Sequence, residues 1–201
     1  MVTTNGALNT QPDNVNMLSP LGFNFSIKKM PHVNYFAQSV NIPSVQLGDV
    51  EIPNPFIALP MIGDHLRFGE LQLSFKVDED MQNYVELFNW ITELGFPESF
   101  EQSKHIYNKG REVPGQGALP STVGEGPFSD ATLTILNSAM NPNLQVQFED
   151  CYPLSLSDVQ FTSTAGSVDY LECVCSFRFK LFRILRLGSG GVTETQNAPV
   201  R

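Results

Sequence analysis

From Gly22 to Lys28 the residues alternate without a break, with Phe23, Phe25 and Ile27 on one side and Asn24, Ser26 and Lys28 on the other. A period of two commits a segment to a half-buried β-strand, because a one-residue slip would turn every apolar side chain to water. The pattern returns over Leu66 to Val77, where Phe68, Leu71, Leu73, Phe75 and Val77 share a face if one irregularity sits near Gly69. It returns again over Leu171 to Phe182, with Cys173, Cys175, Phe177, Phe179 and Leu181 opposite Val174, Ser176, Arg178, Lys180 and Phe182. Tyr35 to Val40, Thr132 to Leu136, Leu144 to Phe148 and Leu154 to Thr162 are further strand candidates. One segment departs from the pattern. Met81, Tyr84, Val85, Phe88 and Ile91 recur at helical spacing, widened by Leu87, Trp90 and Leu94. Asp78, Glu79 and Asp80 supply N-cap chemistry and negative charge at its start, while Gly95 and Pro97 stop it. Together these segments predict a mainly β (α+β) fold: an antiparallel β-sandwich or barrel of seven or eight strands with one flanking α-helix.

Around this domain the chain loses its periodicity. Residues 1–19 are rich in Asn, Thr, Pro and Gly and are expected to form a flexible N-terminal arm. The domain itself is expected over 20–187, and from Gly188 to Arg201 a second flexible arm begins with Gly-Ser-Gly-Gly. Within the domain, residues 103–128 crowd Gly110, Gly115, Gly117, Gly124 and Gly126 among Pro114, Pro120 and Pro127. A loop of that length inside one domain points to an interaction role rather than a simple connection.

With 201 residues and 41% hydrophobic composition, the chain can bury a core without disulfides or metals. Its formal charge of -9 argues against general nucleic-acid binding, whose affinity comes mostly from neutralising phosphates. No segment approaches the roughly 20 apolar residues of a membrane-spanning helix, and the first residues lack the basic and apolar regions of a signal peptide. Three cysteines make no disulfide framework, which points to a reduced compartment.

The residues that carry enzymatic chemistry are not gathered into motifs. His32, His65 and His105 are scattered and form no His-x-x-x-His pair. Cys173 and Cys175 would share one strand face, as core cysteines do, whereas zinc ribbons use Cys-x-x-Cys turns. Asp78 and Asp80 lack the further oxygen ligands and the bend glycine of a calcium loop, and helix capping explains them. Neither glycine pair, Gly115/Gly117 or Gly124/Gly126, sits in a strand–turn–helix context, and no Gly-x-Ser-x-Gly elbow is present. The expectation is a non-enzymatic protein with no catalytic residue, cofactor or metal. Arg178, Lys180, Arg183 and Arg186 are expected to pair with acids of a neighbouring segment or subunit rather than with phosphate.

Ile52 to Ile62 fits neither period. Pro53, Pro55 and Pro60 exclude it from an interior strand, yet Phe56, Ile57, Leu59, Met61 and Ile62 make it strongly apolar. Two readings are open: a loop packed over the domain's own core, or a segment that packs on another subunit.

The order of these features resembles the tail tube proteins of contractile-tailed bacteriophages. The residues that carry the resemblance begin with Asn24-Phe25-Ser26-Ile27 and Phe36-Ala37-Gln38-Ser39-Val40-Asn41-Ile42-Pro43, the latter ending in a short apolar-Pro signature. An extended hairpin at 44–62 follows, then Gly63-Asp64-His65-Leu66-Arg67-Phe68-Gly69-Glu70-Leu71 and Leu73-Ser74-Phe75-Lys76-Val77-Asp78-Glu79-Asp80. Next come the helix Asn83-Tyr84-Val85-Glu86-Leu87-Phe88-Asn89-Trp90 and the returning strands around Phe148-Glu149-Asp150-Cys151-Tyr152-Pro153 and Leu154 to Phe161. The resemblance covers about residues 20–184 and rests on order and spacing rather than on any single motif. It implies a structural virion protein of the viral tail, assembled in the host cytoplasm. Its subunits would stack as hexameric rings into a hollow tube that conducts DNA without binding it, alongside tail sheath and baseplate proteins. It implies inter-subunit assembly through Phe56, Ile57, Leu59 and Met61, with Gly63 and Asp64 setting the hairpin's return, and it assigns Tyr84, Phe88 and Trp90 mainly to the fold. Baseplate tube-initiator and tail-terminator proteins share this fold and are the nearest alternatives. From another class, a β-sandwich module binding sugar or peptide through Phe100, Tyr107 and Phe128 is the rival, and a hydrolase is a distant third.

Overall fold

Alternation specifies which residues share a face but leaves open which strands pair, and the pairing decides the architecture. The computed structural model describes residues 15–95, 97–99, 126–162, 170–188 and 191–194. In chain order they form β1 (Phe23–Ile27), α1 (Pro31–Phe36), β2 (Ala37–Val40), β3 (Val45–Ile52), β4 (Leu59–Phe68), β5 (Leu71–Lys76) and α2 (Gln82–Gly95). Then follow β6 (Ser129–Leu136), β7 (Pro142–Leu156), β8 (Glu172–Arg178), β9 (Leu181–Gly188) and β10 (Gly191–Glu194). Every pairing is antiparallel.

The long strand β7 belongs to two sheets. Its first half, from Leu144 to Glu149, lies between β6 and β9, and β1 and β10 extend that sheet at its two ends. Its last residues, from Tyr152 to Leu156, pair instead with β8, which continues through β5 to β2. The changeover comes at Asp150, whose φ of 54° is left-handed backbone that a short polar residue tolerates. Phe25, Ile27, Leu133, Val146 and Phe148 of the first sheet join Leu71, Leu73, Phe75, Cys173, Cys175 and Phe177 of the second in one core. Leu87 and Trp90 of α2 and Val33 of α1 complete it. Phe25, Phe75, Phe148 and Phe177 are fully buried, and each such side chain contributes about 1.5–3 kcal/mol. This mainly β architecture is the one the alternating segments predict.

Local differences from the sequence reading have local causes. Tyr35 and Phe36, expected to begin a strand, instead end the short helix of residues 31–36, and the strand starts at Ala37. Pro31 opens the turn, buried Val33 anchors it, and Asn34 ties it back to β1, leaving Tyr35 exposed. The single strand expected from Leu66 to Val77 is two strands in different sheets. They part at Gly69, whose amide donates to the Ser44 carbonyl at 2.8 Å. Leu171 to Phe182 likewise divides into β8 and β9 near Lys180, whose amide donates to the Glu149 carbonyl at 3.0 Å. Conversely, Leu144 to Phe148 and the first part of Leu154 to Thr162 are one continuous strand, which ends at Leu156. Gly191–Glu194 lie in the stretch expected as a flexible arm, and they form β10 against β9.

Helix α2 buries a different arc from the one its apolar residues suggest. Asn83, Leu87 and Trp90 face the core, while Phe88 is 54% exposed and Val85 also meets solvent. The start of the helix explains the rotation. Asp78 and Asn83 bond reciprocally, Asn83 Oδ1 accepting from the Asp78 backbone N–H and the Asp78 carboxylate from the Asn83 backbone N–H, both at 3.4 Å, and Asn83 Nδ2 donates to the Lys76 carbonyl at 2.8 Å. A buried amide with these partners is satisfied, so a polar residue takes a core position. Asp78, rather than Asp80, is the acid that caps the helix.

Candidate functional site

Among the described residues, strands β3 and β4 pair only with each other and form a separate two-stranded ribbon. Residues 53–58 make its turn, where Phe56 N–H meets Asn54 Oδ1 at 3.4 Å. Pro53 and Pro55 fall in the turn, and Pro60 lies in β4 opposite Glu51. Each strand of a two-stranded ribbon is an edge, which is where a strand tolerates proline.

Cross-strand pairing sorts the outer half of the ribbon into two faces. Val50 pairs with Met61 and Ile52 with Leu59, while Asp49 pairs with Ile62 and Glu51 with Pro60. All four residues of the first set are exposed large hydrophobics, Ile62 is 87% exposed, and Phe56 at the tip is 94% exposed. None of them belongs to the core. The reading in which this segment packs over the domain's own core is therefore wrong: the segment stands away from it. An isolated two-stranded ribbon is marginal in water, and apolar pairs left open on one invite a covering surface.

Two features hold the ribbon in shape. At its middle the register shifts between Leu47 and Asp49, and Gly63 packs against Gly48 so closely that an added Cβ would lie 2.4 Å from the Gly48 carbonyl oxygen. At its base, the Phe68 ring lies 5.8 Å from Phe179 and 5.2 Å from Phe182, and Phe148 extends this aromatic group to the core. The structure thus places Phe56 and Ile57 in the turn and Leu59, Met61, Gly63 and Asp64 along β4. Gly63 and Asp64 mark the mid-ribbon bulge rather than the return, which residues 53–58 make. Val50 and Ile52 join the face of Leu59 and Met61 although the sequence reading did not select them for assembly, while Ile62 is exposed on the opposite face. The alternation of Val50, Glu51 and Ile52 was the signal for both.

The charged groups are arranged for pairing. Arg178 meets Glu70 at 3.3 Å, Lys180 meets Asp150 at 3.5 Å and Arg183 meets Glu149 at 3.3 Å. Three of the four basic residues near the end thus pair with acids of their own chain. These pairs are exposed, and pairs of this kind contribute about 0–1 kcal/mol. His32 of α1 bonds the Glu86 carboxylate of α2, and this hydrogen bond, with the negative charge behind it, raises the imidazole pKa from 6.5. His65 meets its neighbour Asp64 on β4. Cys151, Cys173 and Cys175 are buried and free, and desolvation pushes the Cys151 thiol up to about 12. Among the described residues no group of His, Cys, Asp and Glu could hold a metal ion, and no helix is long and apolar enough to cross a membrane. His105, Phe100 and Tyr107 lie outside the described residues, whereas Phe128 sits 5.9 Å from the Tyr152 ring.

No protein-family model matches the chain, and no curated protein matches its sequence. Solved structures do match its shape. A chain of the anti-feeding prophage tube-terminating cap aligns with a TM-score of 0.56 at 11% identity, covering 89% of this chain and 97% of that one. A chain of the sheath–tube complex of an extracellular contractile injection system, PVC, in its extended state gives 0.52 at 16% identity, covering 84% and 90%. A chain of the anti-feeding prophage baseplate gives 0.51 at 14% identity, covering 81% and 90%. The chain has the tail-tube fold. The identities are low enough that the likeness is one of architecture.

Proposed function

We propose that this protein is a structural subunit of a tail tube, stacking as hexameric rings into a hollow conduit within a phage or phage-like tail. The observation that carries the reading is the ribbon: an arm held in shape by Gly63 and, at its base, by the Phe68 cluster, with an apolar outer face that its own domain leaves open. A neighbouring subunit covers it, through Phe56, Ile57, Leu59 and Met61 with Val50 and Ile52 beside them. Open sheet edges support the same reading, since they allow head-to-tail contacts that close into a ring. The role is non-enzymatic, and tail sheath and baseplate proteins are its other partners. A chain of net charge -9 lets DNA pass without holding it.

The second reading is a cap, terminator or tube-initiator position in the same assembly, favoured by the likeness to the tube-terminating cap at a TM-score of 0.56. Electron microscopy of the purified chain across a concentration series, with and without added baseplates as nuclei, tests both. Tubes that lengthen with concentration support the tube subunit. Single rings that never stack support the end position. A monodisperse monomer under every condition contradicts both.

A further inference from the structure

The apolar surface of the ribbon changes faces at its middle. Alternation carries through the irregularity at Gly48, since Leu47 and Asp49 are two residues apart and their partners Leu66 and Ile62 are four apart, both even. The face that carries Val50, Ile52, Leu59 and Met61 in the tip half therefore carries the pair Gln46 and Arg67 in the base half. The opposite face does the reverse. Its base half holds Val45, Leu47 and Leu66, all more than half exposed, with the Phe68 ring against Phe179 and Phe182. Its tip half holds Asp49 and Glu51 beside Pro60 and Ile62. Each half is thus built like one layer of a packed sheet, with an apolar side and a charged side. The two missing layers belong on opposite sides of the same arm.

We propose that the base half is a second assembly surface, and that its occupant is the tip half of the ribbon of another copy of this chain. This rests on the assembly proposed above. The charges set the offset between copies. Two ribbons laid face to opposite face in register would press Asp49 and Glu51 of one against Val50, Ile52, Leu59 and Met61 of the next, burying carboxylates without partners. Slid by half a ribbon, the apolar tip of one meets Val45, Leu47 and Leu66 of the next, and Asp49, Glu51 and Arg67 all stay at solvent. Tip-on-tip pairing would cover the tips but leave the base patch open to water on the other side. Tip on base is a heterologous contact: each copy keeps a free tip and a free base, so the contact repeats along a stack.

Cross-linking within assembled chain tests this. Met61→Cys and Leu66→Cys chains are mixed in equal amounts, assembled, oxidised and run on a non-reducing gel, with wild-type chain as control because its own cysteines are buried. The mixture is expected to give a disulfide-linked dimer that neither variant gives alone. An assembled mixture without that dimer overturns this inference and leaves the tube reading standing. A dimer from Met61→Cys alone does the same, since it places tip on tip. A second pair of variants serves if the cysteine chains fail to assemble. Leu47→Asp with Leu66→Asp spoils the base, Val50→Asp with Met61→Asp spoils the tip, and each is expected to remain a folded monomer. Their mixture still offers an intact tip to an intact base, and it is expected to sediment as a complex larger than either component. A mixture that stays monomeric, or a base variant that builds tubes of wild-type length, overturns the inference. Wild-type chain that never assembles overturns it together with the tube reading.

Discussion

At Gly63 the two strands of the ribbon come closer than any side chain permits, since an added Cβ would sit 2.4 Å from the Gly48 carbonyl oxygen. The obstacle is backbone, so relief requires the strands to part. Gly63→Ala is expected to cost about 1–3 kcal/mol, confined to the ribbon because, among the described residues, β3 and β4 pair with nothing else. The check is paired: ribbon amides exchange faster, while the thermal midpoint of the core stays at its wild-type value. His32 offers a test of a different kind. Its pKa is raised by Glu86, so the pair stabilises the chain fully below the unfolded value of 6.5 and loses that contribution as pH rises through the folded value. His32→Gln is therefore expected to lower the melting temperature in mildly acidic buffer and to match wild type in alkaline buffer. An equal deficit at both pH values would show that His32 acts through packing instead.

At the scale of elements, α2 shows what hydrophobic spacing does and does not reveal. The spacing places a helix over these residues and finds Leu87 and Trp90, but it counts Val85 and Phe88 as core when both face solvent. A buried Asn83 turns the helix, and an amide satisfied by Asp78 and the Lys76 carbonyl leaves no trace in an apolar pattern. Leu87→Ala should destabilise the chain by about 2–5 kcal/mol, and Phe88→Asp should stay within about 0.5 kcal/mol, both measured by denaturant unfolding. The reverse ranking would restore the arc that the spacing suggests. Strands divide in the same way. β1 and the Cys173, Cys175 and Phe177 face of β8 were legible because alternation reports faces. The breaks at Gly69 and Lys180 were not, because a strand that changes sheets keeps its alternation while changing partners. The unbroken run of β7 through Asp150 was hidden for the opposite reason: a left-handed residue and Pro153 look like a turn when the bend lies inside one strand. α1 hid behind Val33, which fits either period. Of the candidate surface, Phe56 to Met61 was legible as apolar sequence with nowhere of its own to go. That Gly63 serves a bulge was not, since it depends on the approach of Gly48.

At the scale of the whole molecule the central claim is a division of labour between a self-sufficient two-sheet body and an arm that needs a neighbour. The buried phenylalanines and the shared strand β7 hold the body without help from the arm. Surface ion pairs such as Arg183–Glu149 add little to that stability. Removing the apolar tip should therefore separate folding from assembly. The most direct measurement is electron microscopy of the wild-type chain beside the double variant Phe56→Asp, Ile57→Asp at matched concentration, with circular dichroism and thermal melting of both. The account predicts stacked rings or tubes from the wild type, and from the variant a soluble monomer with wild-type spectrum and melting temperature. Normal tubes from the variant, or a variant that no longer folds, would contradict it.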